Sequence, residues 1–165
     1  QEYAAKIVEN SSALAKNCID EGLSVLTNGT DNHLLLIDVT PNGLNGRQAE
    51  SSLRESRVTL NRNALPFDPN GPWYTSGLRI GTPALTTLGM GPTEMREIAS
   101  IMKSVLANTA PAEIKSGSQA GNLSQARYIL EPNVLNDAQS RVGQLLANHV
   151  LYQEIDLEYL EQAFL

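Results

Sequence analysis

Residues 73–91 read WYTSGLRIGTPALTTLGMG, from Trp73 to Gly91, and they contain a single charge, Arg79. It lies in an apolar, glycine-rich run that holds a brief strand from Leu78 to Gly81. Charged side chains avoid such surroundings unless something pairs with them. A guanidinium offers a planar fork that matches a carboxylate through two parallel hydrogen bonds. The small neighbours Ser76, Gly77, Gly81 and Thr82 let backbone and ligand come close to it. Two readings follow: an arginine that holds a small carboxylic acid, or one paired with a buried aspartate for structural reasons. The run alone does not separate them.

Working outward, Asn61 to Tyr74 reads as a loop with three prolines (Pro66, Pro69 and Pro72), entered by a strand Val58-Thr59-Leu60. Before it, Asn45 and Gln48 have the spacing of a capping box that opens a helix from Arg47 to Ser56. His33 to Val39 is an apolar strand covered on at least one face. Asn28-Gly29-Thr30-Asp31 is turn chemistry, and Leu23 to Thr27 a short strand. The first helix spans Glu2 to Glu21, with Ala4, Ile7, Val8, Leu14, Ala15, Cys18 and Ile19 on one face and Gly22 as its terminator. Gln1 falls inside this helical pattern, without a cap, so an upstream segment is expected. After the arginine run, a helix opens at Pro92 and carries Met95, Ile98, Ile101, Met102 and Val105 to about Asn108. Thr109 to Gln125 reads as a loop or mobile segment, Gln125 to Leu130 as a helical turn, and Asn136 to Tyr152 as a last amphipathic helix. The order of elements predicts an α/β fold of the two-layer α+β kind: a small, mostly antiparallel sheet covered by helices.

At 165 residues the chain fits one domain with a real core. A net charge of −6, with no cluster of Lys and Arg, argues against nucleic acid as a partner. No apolar run is long enough to cross a bilayer, and no secretory segment opens the chain, so the expected compartment is the cytoplasm. One cysteine, Cys18, and two histidines, His33 and His149, do not make a usual zinc site, and no metal is expected. Cys18, on an apolar helix face, reads as a buried inert thiol.

Three motifs in register resemble the C-terminal domain of serine hydroxymethyltransferase. They are Thr75-Ser76-Gly77-Leu78-Arg79-Ile80-Gly81-Thr82-Pro83-Ala84, the turn Gly29-Thr30-Asp31-Asn32-His33-Leu34 with its following strand to Asp38, and Asn61-Arg62-Asn63 with Pro66, Asp68-Pro69 and Pro72. The agreement runs from Tyr3 to about Asn108, and the end of the last helix, Asn148-His149-Val150-Leu151-Tyr152, also resembles that family. The resemblance implies the small domain of a fold-type I pyridoxal-phosphate enzyme that interconverts serine and glycine while passing one carbon to or from tetrahydrofolate. It divides the chain into an interdomain helix (1–22) leading from a large pyridoxal-phosphate domain, a C-terminal small domain (23–152) with an insertion or loop at 109–133, and an acidic tail (153–165).

The same resemblance implies roles. Arg79 takes the position of the arginine that holds the amino-acid carboxylate, and Asn63 that of an asparagine contacting the folate pterin, for which an amide can both donate and accept. Ser76 and Thr82 flank Arg79 and either orient it or, as such hydroxyls more often do, satisfy local backbone, and Arg62 stands either near folate or as a solvated surface arginine. Trp73 and Tyr74 either line the folate entrance or pack locally. His33 belongs to a structural turn. The family's Schiff-base lysine motif is absent, so no catalytic residue is expected within the chain, and pyridoxal phosphate is expected to rest mainly on the large domain. The parent enzyme is expected to be a homodimer or tetramer. Leu88 stands where the family often has arginine, which removes an anion contact there. Two other readings remain at this point: a free-standing amino-acid-binding or regulatory module, and a subunit that needs a separate large-domain chain.

Overall fold

The computed structural model describes residues 1–151. The tail read at 153–165 lies outside the described residues. Helix α1 (Glu2–Asp20) is followed by strands β1 (Ser24–Val25) and β2 (Leu34–Asp38), helix α2 (Gly46–Glu55), strands β3 (Asn61–Asn63) and β4 (Gly77–Gly81), and helices α3 (Pro83–Thr87) and α4 (Pro92–Ala107). Strands β5 (Thr109–Glu113) and β6 (Leu123–Leu130) and helix α5 (Pro132–Asn148) complete it. The main sheet is antiparallel throughout, in the order β1-β2-β4-β3. The two-layer fold expected from the element order is therefore what forms.

Its core follows from strand alternation. Leu35 and Ile37 of β2 and Leu78 and Ile80 of β4 point to one face, where they join Leu14 and Cys18 of α1, Leu53 of α2 and Met95, Ile101, Met102 and Leu106 of α4. The opposite face carries Leu34, Leu36, Asp38 and Arg79, half-buried or exposed. Among the described residues, helices thus cover β2 on one side only.

Local signals place the helices. Glycine in the left-handed region ends α1: Gly22 (φ 77°) donates to Ile19 O and Leu23 to Cys18 O, both at 2.8 Å. This pairing satisfies carbonyls that the last turn leaves open. The capping box of α2 is reciprocal, with Gln48 N donating to Asn45 Oδ1 at 3.0 Å and Asn45 N to Gln48 Oε1 at 3.1 Å. The Glu94 carboxylate accepts from Gly91 N at 2.8 Å at the start of α4.

Three expectations need correction. The strand read at Val58-Thr59-Leu60 forms instead at Asn61–Asn63, where pairing with β4 is available. The loop read at Thr109 to Gln125 holds β5, and the helical turn read at Gln125 to Leu130 lies within β6. The two strands pair with each other, Ala110 opposite Ile129. Pro111 is tolerated because a two-stranded ribbon is all edge. What fixes the ribbon is distant in sequence: Gln48 Nε2 donates to Ser124 O at 2.6 Å and Asn45 Nδ2 to Gln125 O at 2.8 Å. The capping residues of α2 therefore also seat β6.

Helix α5 is tied to α4 by Arg141, whose Nε donates to Glu97 Oε1 at 2.6 Å while Nη2 donates to Ser100 Oγ at 3.0 Å. The hydrogen bond and charge of Arg141 hold the Glu97 carboxyl below the usual carboxylate range, against a smaller opposing effect of burial. A carboxyl lowered in the folded state stabilises at pH above its unfolded value, and that stability is lost as pH falls through the folded one. Glu97→Gln is therefore expected to lower the thermal midpoint at neutral pH, by about 1 kcal/mol or less for a solvent-screened pair. The gap from the unaltered protein should close on acidification. A gap independent of pH from neutrality to strong acid would show that the ion pair is not its source.

Candidate functional site

Strand β4 positions the one charge of the opening motif. Its alternation buries Leu78 and Ile80 and turns Arg79 to the outer face, opposite Leu36 of β2 and Asn61 of β3. Arg79 Nε donates to Asn61 Oδ1 at 3.2 Å. Among the described residues no ion pair involves Arg79. The reading in which it pairs with a buried aspartate is therefore not met. The guanidinium is held at Nε by a neutral amide, and Arg79 is exposed.

Asn63 lies two residues from Asn61 and so on the same face, opposite Gly77. Its Nδ2 donates to Ala64 O at 2.7 Å. Among the described residues nothing donates to its Oδ1. The outer face thus gathers a forked cation and two amides on adjacent strands, an arrangement suited to a planar anion beside a ring with alternating donors and acceptors.

Ser76 and Thr82 flank Arg79 in sequence, but strand parity puts them on the buried side, and neither orients it. Ser76 Oγ donates to Asp68 Oδ1 at 2.6 Å, and Thr82 Oγ1 donates to Ile7 O at 2.8 Å. Thr82 thereby fastens β4 to α1. Asn61 is the residue that touches Arg79, and the sequence reading missed it. The signal was present: in a strand Asn-Arg-Asn, the two asparagines share a face. The error was to place the strand three residues early.

Parity also decides Arg62. It turns toward α2, where Nη1 meets Glu50 Oε2 at 2.7 Å, and Glu50 also holds Arg54 Nη2 at 3.0 Å. Arg62 is thus neither a solvated surface arginine nor a neighbour of Arg79 on the outer face. Its guanidinium lies 5.4 Å from the centre of the Trp73 ring and that of Arg47 lies 5.3 Å from it. Trp73, 61% exposed, is therefore stacked by cations and not packed in the core.

The remaining candidates are structural. In the turn before β2, Thr30 Oγ1 donates to Leu34 O at 2.6 Å and Asn32 Oδ1 accepts from Leu34 N at 3.0 Å. His33 contributes its carbonyl, which accepts from Thr82 N at 3.1 Å. Leu88 packs against the core, and its carbonyl faces His149 Nδ1 at 3.2 Å. Burial, with a smaller contribution from Glu21, pushes the Cys18 thiol up to about 12, which keeps it protonated at neutral pH.

Residues 1–102 match the family model described as serine hydroxymethyltransferase. Proteins named serine hydroxymethyltransferase are similar over nearly the whole chain. That of Treponema pallidum is 51% identical over 162 residues, covering 98% of this chain and 28% of the relative. That of Salinispora tropica is 48% identical, covering 94% and 32%. That of Chlamydia trachomatis serovar L2 is 46% identical, covering 97% and 31%. The chain thus spans under a third of the length of these relatives.

Proposed function

The chain belongs to the serine hydroxymethyltransferase family, and from that premise we propose that it is the C-terminal part of an enzyme converting serine and tetrahydrofolate reversibly to glycine and 5,10-methylenetetrahydrofolate. In this reading Arg79 receives the carboxylate of serine or glycine, and Asn63 meets the pterin edge of the folate. The observation that carries it is the outer sheet face. It presents a guanidinium that no carboxylate of the described residues pairs with, steadied by Asn61, with a second amide at Asn63. A bidentate hold on the carboxylate fixes how the bond broken at Cα is oriented.

Pyridoxal phosphate supplies the electron sink for such chemistry when bound. The residues present do not fit it. Lys6 and Lys16 are exposed and paired with Glu2 and Asp20, Lys103 lies on α4, and Lys115 is exposed between β5 and β6. None stands beside Arg79 on the outer sheet face. The reading therefore assigns the cofactor and its lysine to a large domain outside this chain. It places the assembled enzyme in the cytoplasm as a homodimer or tetramer. Among the described residues no helix is long and apolar enough to cross a membrane.

The test is made on the full-length enzyme carrying this region. It should form glycine from serine only when tetrahydrofolate is supplied. Asn63→Ala should raise KM for tetrahydrofolate about tenfold, the worth of one or two lost hydrogen bonds to a buried ring. Folate-independent cleavage of a 3-hydroxy amino acid should change little. Equal losses in both reactions would show that Asn63 serves its own loop through Ala64, and absence of serine turnover would overturn the function.

A further inference from the structure

We infer that Asp68 is a positioning residue for the folate side of this site, acting by holding Asn63 in place. The inference rests on the reading of Asn63 given above and extends it to a residue that touches neither amino acid nor folate.

Asn63 is the last residue of β3, and its rung with Gly77 is the last between β3 and β4. Residues 64–76 leave that rung and return to it. Pro66, Pro69 and Pro72 restrict the path locally, and no helix or strand spans it. Two of them sit in the left-handed region without being glycine, Phe67 (φ 58°) and the β-branched Thr75 (φ 56°). Such conformations persist only where the surroundings over-determine them.

One carboxylate supplies part of those surroundings, beside the backbone bonds from Gly46 N to Thr75 O and from Val39 N to Ser76 O, both at 3.0 Å. Asp68 Oδ2 accepts from Leu65 N at 3.0 Å and from Ser76 N at 2.8 Å, joining the outgoing and returning ends of the loop at a single oxygen. Oδ1 accepts from Asn70 N at 2.8 Å and from Ser76 Oγ at 2.6 Å, and Ser76 Oγ in turn accepts from Asn70 Nδ2 at 2.9 Å. These bonds are charge-assisted and short. Burial alone would raise the Asp68 carboxyl, and the four hydrogen bonds more than offset it, so it is held below the usual carboxylate range. The tie closes directly behind the Asn63–Gly77 rung. The rung itself is tight: a Cβ at Gly77 would stand 2.9 Å from Asn63 O. Releasing Asp68 unties Leu65 at the outgoing end, while the returning end stays held by Val39 N on Ser76 O and Gly46 N on Thr75 O, so the side chain that loses its fixed place is Asn63. Arg79, two residues further along β4 and paired on both sides, is not reached by that loss.

Three substitutions in the full-length enzyme test this. Asp68→Ala removes all four acceptor contacts. Asp68→Asn keeps one oxygen for Leu65 N and Ser76 N and turns its amide to Ser76 Oγ, opposing only Asn70 N. Ser76→Ala removes one contact to Asp68 and, with it, the bond from Asn70 Nδ2. KM for tetrahydrofolate should rise in the order Ser76→Ala, Asp68→Asn, Asp68→Ala, reaching about tenfold, while KM for serine and folate-independent cleavage stay near the parent values. If Asp68→Ala does not fold, the other two carry the test. The deciding measurement is the pair Asp68→Asn with Asn63→Ala. Because both act through one side chain, the double variant should be no worse for folate than Asn63→Ala alone. Additive effects, or equal losses for serine and folate, would overturn the positioning role even with Asn63→Ala behaving as expected. If Asn63→Ala leaves folate use unchanged, the reading of Asn63 fails, and this inference fails with it.

Discussion

Arg79→Lys in the full-length enzyme is expected to lower kcat/KM for serine by about a hundredfold, a loss of about 2.7 kcal/mol of transition-state stabilisation. Lysine keeps the charge and nearly the reach but is a point donor, so it cannot grip both carboxylate oxygens in one plane. It also lacks the Nε that Asn61 now holds, so the cation loses the contact that fixes its direction on the sheet. Both losses fall on orientation more than on attraction. For that reason kcat should fall together with a rise in KM. Binding of glycine, which requires the carboxylate contact but no bond cleavage, should weaken in parallel. Serine kinetics unchanged in this variant would remove Arg79 from the site.

A second large effect is expected at Gly46, the first residue of α2. Its N–H donates to Thr75 O at 3.0 Å, and that of Arg47 to Tyr74 O at 3.0 Å, so the helix start is docked on the backbone entering β4. A Cβ there would stand 2.8 Å from Gly77 O and 3.0 Å from Tyr74 O and would collide with Thr75 Oγ1. Two of these atoms belong to backbone and do not swing aside. Alanine within a helix gains up to about 1 kcal/mol over glycine in propensity. The overlap should outweigh that gain and leave Gly46→Ala about 2–3 kcal/mol less stable. Because the displaced segment leads into Arg79, activity should fall as well as the thermal midpoint. An unchanged midpoint would mean that α2 does not approach β4 so closely.

The outer-face site was legible in part. Arg79 announced itself, since a lone charge in an apolar strand is a conflict that demands a reason. Asn63 came from the resemblance of the Asn61-Arg62-Asn63 motif. For the neighbours of Arg79 along the chain, sequence adjacency is not spatial adjacency. Ser76 and Thr82 stand close to Arg79 along the chain yet lie across the strand from it, because successive side chains alternate faces. Asn61, eighteen positions away, is the one in contact. The direction of Arg62 is likewise set by which residues of β3 pair with β4. The loop tied by Asp68 had no periodic signal at all. Its order comes from Asp68 closing a path between distant backbone groups and from Gly46, Arg47 and Val39 holding its returning end.

The family came from the resemblance of its motifs, while local chemistry was sufficient for α1, α2 and α4, the stop of α1 at Gly22 and the start of α2 at Asn45, the apolar strand β2 and the arginine on which the proposed site turns. These are written in spacing and capping, interactions among residues a few positions apart. The tertiary structure alone decided that β5 and β6 form a ribbon, that β3 begins at Asn61, and that Asn61 steadies Arg79 while Glu50 takes Arg62. A strand has no internal hydrogen bonds, so where it lies and which way its side chains face depend on partners that only the folded chain brings alongside.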